Sequence, residues 1–368
     1  MSDATTLEEA DQRDLYVARL RDCVDRQSGL FTRQLRHRRW APTLGTEAIT
    51  SSAICLIGLS RAAIPISDVT GAPAVICRRI AARIRTQGYP GGLGLLLWAN
   101  GALDCVASAA LLEEAGLDAM ALERVLPTLT TMEVAWLVSG LLHSTEPGLR
   151  ATCAAALHEL EARLNPGTLT FRHASIQAPL RHRMRRRIAN FADQIYPIQA
   201  LAFASIMLKS QRLRDLAVLC ARRVVGTQGS LGQWWWHHDA ETGRVAGAFP
   251  VYSVHQHSMA PMALHCVTEA GGPSFAASVS RSRAWLQANE LGIDMADRAT
   301  GIIWRSIERA EAPVSRGLRH AGMLLGSPTG DEPAPRLRLN PEMRPYEWGW
   351  LLYSTAIEAG PPNLNHIV

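Results

Sequence analysis

The order of apolar and polar positions divides most of the chain into two alternating kinds of helical segment. One kind is amphipathic and carries arginine on its wet face, at about 8–36, 73–86, 117–125, 147–164, 212–227 and 273–289. In 147–164, Leu149, Cys153, Leu157, Leu160 and Leu164 fall on one helical stripe. In 212–227, Leu213, Leu216, Ala217, Cys220 and Val224 do the same, with Arg222 and Arg223 off the stripe. Pro147 suits a first helical turn, where its missing N–H is no loss. The other kind is apolar around its whole circumference and rich in Ala, Ser and Gly. It comprises EAITSSAICLIGL from Glu47, DCVASAALL from Asp104, EVAWLVSGLL from Glu133, DQIYPIQALAFASI from Asp193, HQHSMAPMALHCV from His255 and EWGWLLYSTAI from Glu347. Such helices must be buried on all sides, and their small residues let neighbours approach closely. Six alternations of outer and inner helix predict an all-α fold, an (α/α)6 toroid spanning 1–368 as a single domain.

Glycine and proline cluster between these segments, and few stretches alternate with a two-residue period, so sheet content should be small. The stretch 308–342, with GSPTGDEPAPRLRLN, is too polar and proline-rich to continue a helix and is expected to form an irregular surface excursion or lid.

Composition narrows the class. With 368 residues, 47% hydrophobic and 19% charged, the chain can bury a large core and is too apolar to be disordered. The acidic start MSDATTLEEADQRDLY lacks the basic stretch and apolar run of a secretion signal, and no apolar segment is long enough to span a bilayer. A cytoplasmic protein without a membrane span is expected. Cys23, Cys55, Cys77, Cys105, Cys153, Cys220 and Cys266 are odd in number and scattered, which reads as reduced core thiols. The net charge of +5 rests on arginine, since Lys209 is the only lysine. The run Arg181, Arg183, Arg185, Arg186 and Arg187 has no interleaved aromatics and matches no nucleic-acid motif, so it reads as a solvated basic segment and no nucleic-acid partner is expected.

Candidate chemistry comes from the starts of the inner helices: Glu47, Asp104, Glu133, Asp193, His255 and Glu347. Parallel inner helices would bring these ends to one mouth, where helix N-termini favour negative charge. The competing account is that acids in first turns are simply caps. The densest constellation is GSLGQWWWHHDAETGRVAGAFPVYSVHQHSMAPMAL, between the fifth outer and fifth inner helices. Trp234, Trp235 and Trp236 cannot all face one core, so at least one should be free to stack on a sugar-like ligand while the others wedge between hairpins. His237, His238, Asp239, His255 and His257 lack the i,i+4 spacing of helical zinc sites, so general acid/base work is expected of them, with no metal and no cofactor. The catalytic candidates are Asp239, His255, Glu347, Asp193 and Asp104, and a hydrolase would draw two spaced carboxyls from Asp104, Glu133, Asp193 and Glu347. A small-molecule or glycan substrate would be held by Trp234, Trp235, Trp236, His237, His238, Tyr252, Gln256, His257, Glu47, Glu133, Tyr196, Arg305, Arg344 and Tyr346. The two arginines would suit an anionic substrate group, or else a salt bridge to one of the acids.

The six-hairpin pattern resembles the superfamily of six-hairpin glycosidases, unsaturated-uronide hydrolases and N-acylglucosamine 2-epimerases, whose sites lie at the barrel mouth. GQWWWHHD from Gly232 is similar to the aromatic and acidic loop before an inner helix in those enzymes, and EWGWLL from Glu347 resembles a late inner-helix motif of the epimerases. NPEMRPY stands where the epimerases often carry Pro-Gly-His, so their histidine has no counterpart. Gln228, Gly232 and Trp234 fit QxxxGxW, resembling the motif that ties hairpin ends in terpenoid cyclases and prenyl-binding toroids. The acidic clusters needed for cyclase chemistry are absent from the sequence. The resemblances imply a sugar-acting enzyme of hydrolase, lyase or epimerase type, with a terpenoid-cyclase-like toroid or a non-catalytic binding protein as alternatives.

Overall fold

The computed structural model describes residues 2–36, 38–324 and 335–358, with side chains from residue 12 onward. Six helices pack side by side into a closed ring: Glu47–Arg61, Leu93–Leu103, Thr131–Leu142, Ala192–Met207, a helix entered through a π-turn at His255–Met259 and continuing as Ala260–Glu269, and Pro345–Glu358. Each touches the next, and the sixth packs along the first. They run in one direction. Gly91 lies against Glu133 and Gly101 against His143, so the second and third inner helices begin and end together. The Ser60 hydroxyl donates to the Ala102 carbonyl, and the Met132 amide to Asp193, which sets the same sense for their neighbours. Outside lie Ser2–Cys23, Pro73–Gln87, the short pair Ser108–Ala115 and Ala119–Val125, Arg150–Ala162, Gln211–Val225 and Ala276–Ala284. The architecture is the (α/α)6 toroid that the alternation predicts.

Small residues set the tightest contacts of the ring. A Cβ on Gly58 would lie 2.0 Å from the carbonyl oxygen of Gly349, and one on Gly140 would lie 2.1 Å from that of Gly94. Backbone thus meets backbone between the first and sixth inner helices and between the second and third.

One boundary is corrected. The second inner helix is Leu93–Leu103, not the segment from Asp104. Asp104 is the residue after its last turn, with φ 46° and its amide bonded to the Asn100 carbonyl, and so it stands at the end of the ring opposite the mouth. The helix starts from Pro90, Gly91 and Gly92, with no polar residue to mark it. The apolar stretch after Asp104 forms the outer helix Ser108–Ala115 instead. The first outer helix likewise ends at Cys23 and is followed by the hairpin Arg33–Arg36/Arg39–Pro42.

Towards the C-terminal ends of the inner helices, the ring is filled by aromatic side chains gathered round Trp98, with His143, Phe203, Trp350 and Tyr353 at centroid distances of 5.4–5.6 Å. Burial drives His143 down to about 4, so this histidine is a neutral packing residue.

Two small sheets stand over the N-terminal ends. In one, Ser306–Arg309 pairs with both Val251–Tyr252 and Leu337–Asn340; in the other, His237–Asp239 lies between Ile188–Asn190 and Val245–Gly247. Of the 308–342 stretch, 325–334 lies outside the described residues, and Pro313–Leu324 forms an amphipathic helix that the polar, proline-rich sequence around it obscures. All seven cysteines are free thiols, five of them buried. Among the described residues, no helix is long and apolar enough to cross a membrane.

Candidate functional site

The mouth holds a cavity of about 140 Å³. Five inner helices each contribute a pair spaced i,i+4: Thr50 and Ile54, Met132 and Trp136, Ala192 and Tyr196, His255 and Met259, Tyr346 and Trp350. That spacing stacks two side chains on one helix face, so each helix presents a two-residue strip to the axis. The second inner helix contributes none, since Gly91, Gly92 and Gly94 occupy its first turns against neighbouring side chains and backbone. The remaining wall is Trp236, Tyr252, Val254 and Arg305, carried by the two sheets and the chain entering the fifth inner helix.

Arg305 is the charge of this cavity. It precedes the strand Ser306–Arg309, and the Ser306↔Tyr252 register brings its guanidinium 5.0 Å from the centre of the Tyr252 ring. Its Nη1 donates to the Tyr346 hydroxyl at 3.0 Å and stands 3.9 Å from Glu347. Burial alone would lower its pKa, but Tyr346, Tyr252 and Glu347 hold it above the ordinary arginine value, so it stays a cation. Glu347 lies behind it, fully buried, with neither carboxyl oxygen hydrogen-bonded. Burial pushes Glu347 up to about 8, against the lowering pull of Arg305 and Arg344.

His255 faces the same space. Its ring stacks on Trp236 at 5.3 Å and packs on Phe191 at 4.6 Å and Tyr252 at 5.1 Å. Burial first, then the neighbouring charge of Arg305, holds its pKa well below the usual histidine value, so the ring is a neutral base, and its Nδ1 is buried without a partner. The π-turn that carries it accompanies Pro261, which has no N–H to return to the carbonyl of His257. Tyr196 lies between Trp136 and Trp350, with ring centroids at 5.4 and 6.0 Å, and burial raises its phenol. The buried indole N–H groups of Trp136 and Trp350 approach the Tyr196 phenol in this wall and pull its pKa down against the larger effect of burial.

Most of the carboxylates expected at the mouth are engaged elsewhere. Asp193 accepts from the amides of Met132 and Asn190 and pairs with His173 at 2.8 Å, clasping the third and fourth inner helices together. Glu133 closes a capping box with Thr130. Glu47 is bonded to Arg344, which also approaches Glu342 at 3.7 Å, so that arginine takes the salt-bridge alternative. Asp239 is gripped by the Arg187 fork at 2.6 and 2.8 Å; burial pushes its carboxyl up, and the Arg187 bonds outweigh that and hold it low. Cap, clasp and ion pair are what acids in first turns do when no ligand claims them. With Asp104 at the opposite end, no carboxylate lines the cavity among the described residues, and the pair of spaced carboxyls expected of a hydrolase is not assembled there.

The aromatic and histidine loop divides similarly. Trp234 is buried on Phe191 at 5.9 Å and Trp235 wedges on Phe249 at 6.1 Å, whereas Trp236 faces the cavity. Gln256 is spent on the Trp234 amide and the Tyr252 carbonyl. His238, driven to about 4 by burial, bonds to the Trp235 carbonyl; His257, driven to about 3 by burial and then Arg283, bonds to Ser258. His237 turns away, into a neighbouring cleft. Gln228 donates to the carbonyls of Gly232 and Ser278 and accepts from Arg281, joining the ends of the fifth and sixth outer helices. No group of three or more His, Cys, Asp or Glu side chains among the described residues converges to hold a metal.

Met132, Trp136, Met259 and Trp350 were not expected in the site. Their signal was available, because each stands four residues from another lining residue within an inner helix.

No family model and no curated protein sequence matches the chain. Solved structures do. The unsaturated glucuronyl hydrolase from Bacillus sp. GL1, responsible for the degradation of glycosaminoglycan, is 14% identical, with a TM-score of 0.55 over 95% of both chains. A sugar epimerase from a ruminal bacterium is 10% identical, with a TM-score of 0.60 over 96% of this chain and 99% of its own. A possible GH105 member from Klebsiella pneumoniae subsp. pneumoniae MGH 78578 is 12% identical, with a TM-score of 0.58 over 96% and 94%. At these identities the likeness is one of fold: the chain is similar to the (α/α)6 toroids among which these sugar-acting enzymes stand.

Proposed function

We propose that this protein is a sugar-acting enzyme that holds an acidic sugar unit in the mouth cavity and moves the proton on the carbon beside its carboxylate. The observation that carries the reading is Arg305, a buried cation among aromatic rings that donates through Nη1 to the neutral Tyr346 hydroxyl and has further N–H groups to offer a carboxylate. The fold likeness to a uronide hydrolase and an epimerase supports the sugar class by analogy. A cavity of about 140 Å³ is small for a ligand site and suits a single sugar ring. Trp236 offers a stacking face.

In this reading Arg305 neutralises the sugar carboxylate, which makes the adjacent C–H acidic. His255, kept neutral at physiological pH, takes that proton. A phenol of the cavity, Tyr346 or Tyr252, returns a proton either to the leaving oxygen, giving elimination, or to the carbon, giving epimerisation. The test is proton NMR of uronate-terminated oligosaccharides with the enzyme in D2O. Deuterium should enter at the carbon beside the carboxylate, or an unsaturated sugar should form. New reducing ends without either change would overturn the reading. That outcome would belong to hydrolysis, for which no pair of carboxyls faces the cavity among the described residues.

A further inference from the structure

Beside the cavity, and sharing Trp236 and Tyr252 as a party wall, lies a larger cleft of about 340 Å³. Its floor is the strand of His237, and its outer wall is the amphipathic helix Pro313–Leu324, which turns Arg316, Arg319 and His320 inward. Arg309 lines it as well, and among the described residues two carboxylates face this space and both are engaged. Glu311 accepts from Arg319 at 2.6 and 3.2 Å and lies 3.7 Å from Arg316, while Glu308 pairs with Arg338 at 2.7 Å. Arg185 is different. Among the described residues its hydrogen bond is to a neutral acceptor, the Asn190 side-chain oxygen at 2.7 Å, and no carboxylate among them pairs with it. His237 is only 4% exposed and its Nδ1 has no partner.

The histidines register the resulting field. His237 is driven to about 3 by burial and then by Arg185, His320 and Arg319; His320 is lowered by burial, then Arg319 and Arg185. Besides burial, it is positive neighbours that lower both rings, so the field across this part of the cleft is positive and favours an anion. A cationic concavity against an aromatic cavity is arranged for a ligand with a ring in one compartment and an oxyanion in the other.

We infer that the cleft is a second subsite, in which Arg185, with His237 and His320 at its side, binds a sulfate or phosphate group carried next to the sugar unit in the cavity. For the substrate this rests on the proposed function; the anion site itself does not. Its consequence is selectivity: oligosaccharides bearing a sulfate on the unit next to the terminal uronate, or a sugar joined to a diphosphate, should bind better than their uncharged counterparts.

The test uses the full-length protein with inorganic sulfate and inorganic pyrophosphate as separate probes, followed by calorimetry and by the histidine ring resonances, with His237 and His320 assigned by substitution. Binding of either anion should move the His237 and His320 signals, and the tighter probe tells a sulfated glycan from a diphosphate leaving group. Arg185→Gln should weaken binding roughly tenfold, the loss of one charge-assisted hydrogen bond, and Arg185→Lys should restore part of it. In Arg305→Gln the anions should still move the His237 and His320 signals, because those rings line the cleft and Arg305 lines the other compartment. Unaltered affinity in Arg185→Gln, or no movement of the two histidine signals, would overturn the subsite. Anion binding that passes these tests while uronates leave the cavity empty would defeat the proposed function and spare the subsite.

Discussion

Replacing Glu347 by glutamine tests a carboxyl that the fold buries without a hydrogen bond. Its carboxyl is completely buried, neither oxygen has a hydrogen bond, and the nearest cation atom, on Arg305, is 3.9 Å away. Burial pushes it to about 8, well above the ordinary 4.5, against partial lowering by Arg305 and Arg344. Far below pH 4.5 both folded and unfolded chains carry the proton. Between about 4.5 and 8 the unfolded chain ionises while the folded one keeps its proton, so stability falls as pH rises and levels off above about 8. The gap corresponds to roughly 5 kcal/mol in all, under about 1 kcal/mol of it spent by pH 5. Glutamine keeps the shape and cannot ionise. Urea unfolding of wild type and Glu347→Gln at pH 5 and pH 8.5 should therefore show their stability difference moving by about 4 kcal/mol in favour of the variant. Other titrating groups cancel in that difference. Parallel pH dependence in the two proteins would refute the assignment.

Arg305→Gln should weaken uronate binding by roughly ten- to a hundredfold, the value of a hydrogen bond to a charged group, while neutral sugars lose little; equal losses for both, read by calorimetry, would remove the carboxylate from the cavity. His255→Ala should reduce deuterium exchange at the carbon beside the carboxylate by at least about a hundredfold with uronate affinity kept, whereas Asp239→Asn, which breaks the Arg187 fork, should leave exchange near wild type. Gly58→Ala should destabilise the fold by about 1–3 kcal/mol in urea despite alanine's better helix propensity, because the new methyl meets the Gly349 carbonyl; a neutral result would mean that the first and sixth inner helices are free to part.

Five of the six inner helices could be read from the sequence because they are apolar on every side and begin with a polar residue. Leu93–Leu103 escaped for a physical reason: its start consists of Pro90, Gly91 and Gly92, chosen for close approach to Ile49, Tyr89 and Glu133, and no polar group marks it. The carboxylates were legible as helix starts but not as ligands. A first-turn acid that caps a helix, as Glu133 does, and one that faces a substrate have the same sequence signature. Arg305 was visible as a candidate, but its partnership with Tyr346 and Tyr252 depends on strand pairing across more than fifty residues, which helical periodicity does not report.

The aromatic cluster around Trp98 gives the ring a floor. A toroid open at both ends can be threaded by a polymer, but one stoppered at the far end is a cup. Whatever enters beside Arg305 must leave by the way it came, end first, and what remains attached to it must lie across the rim, where the cleft of Arg185 and His237 begins.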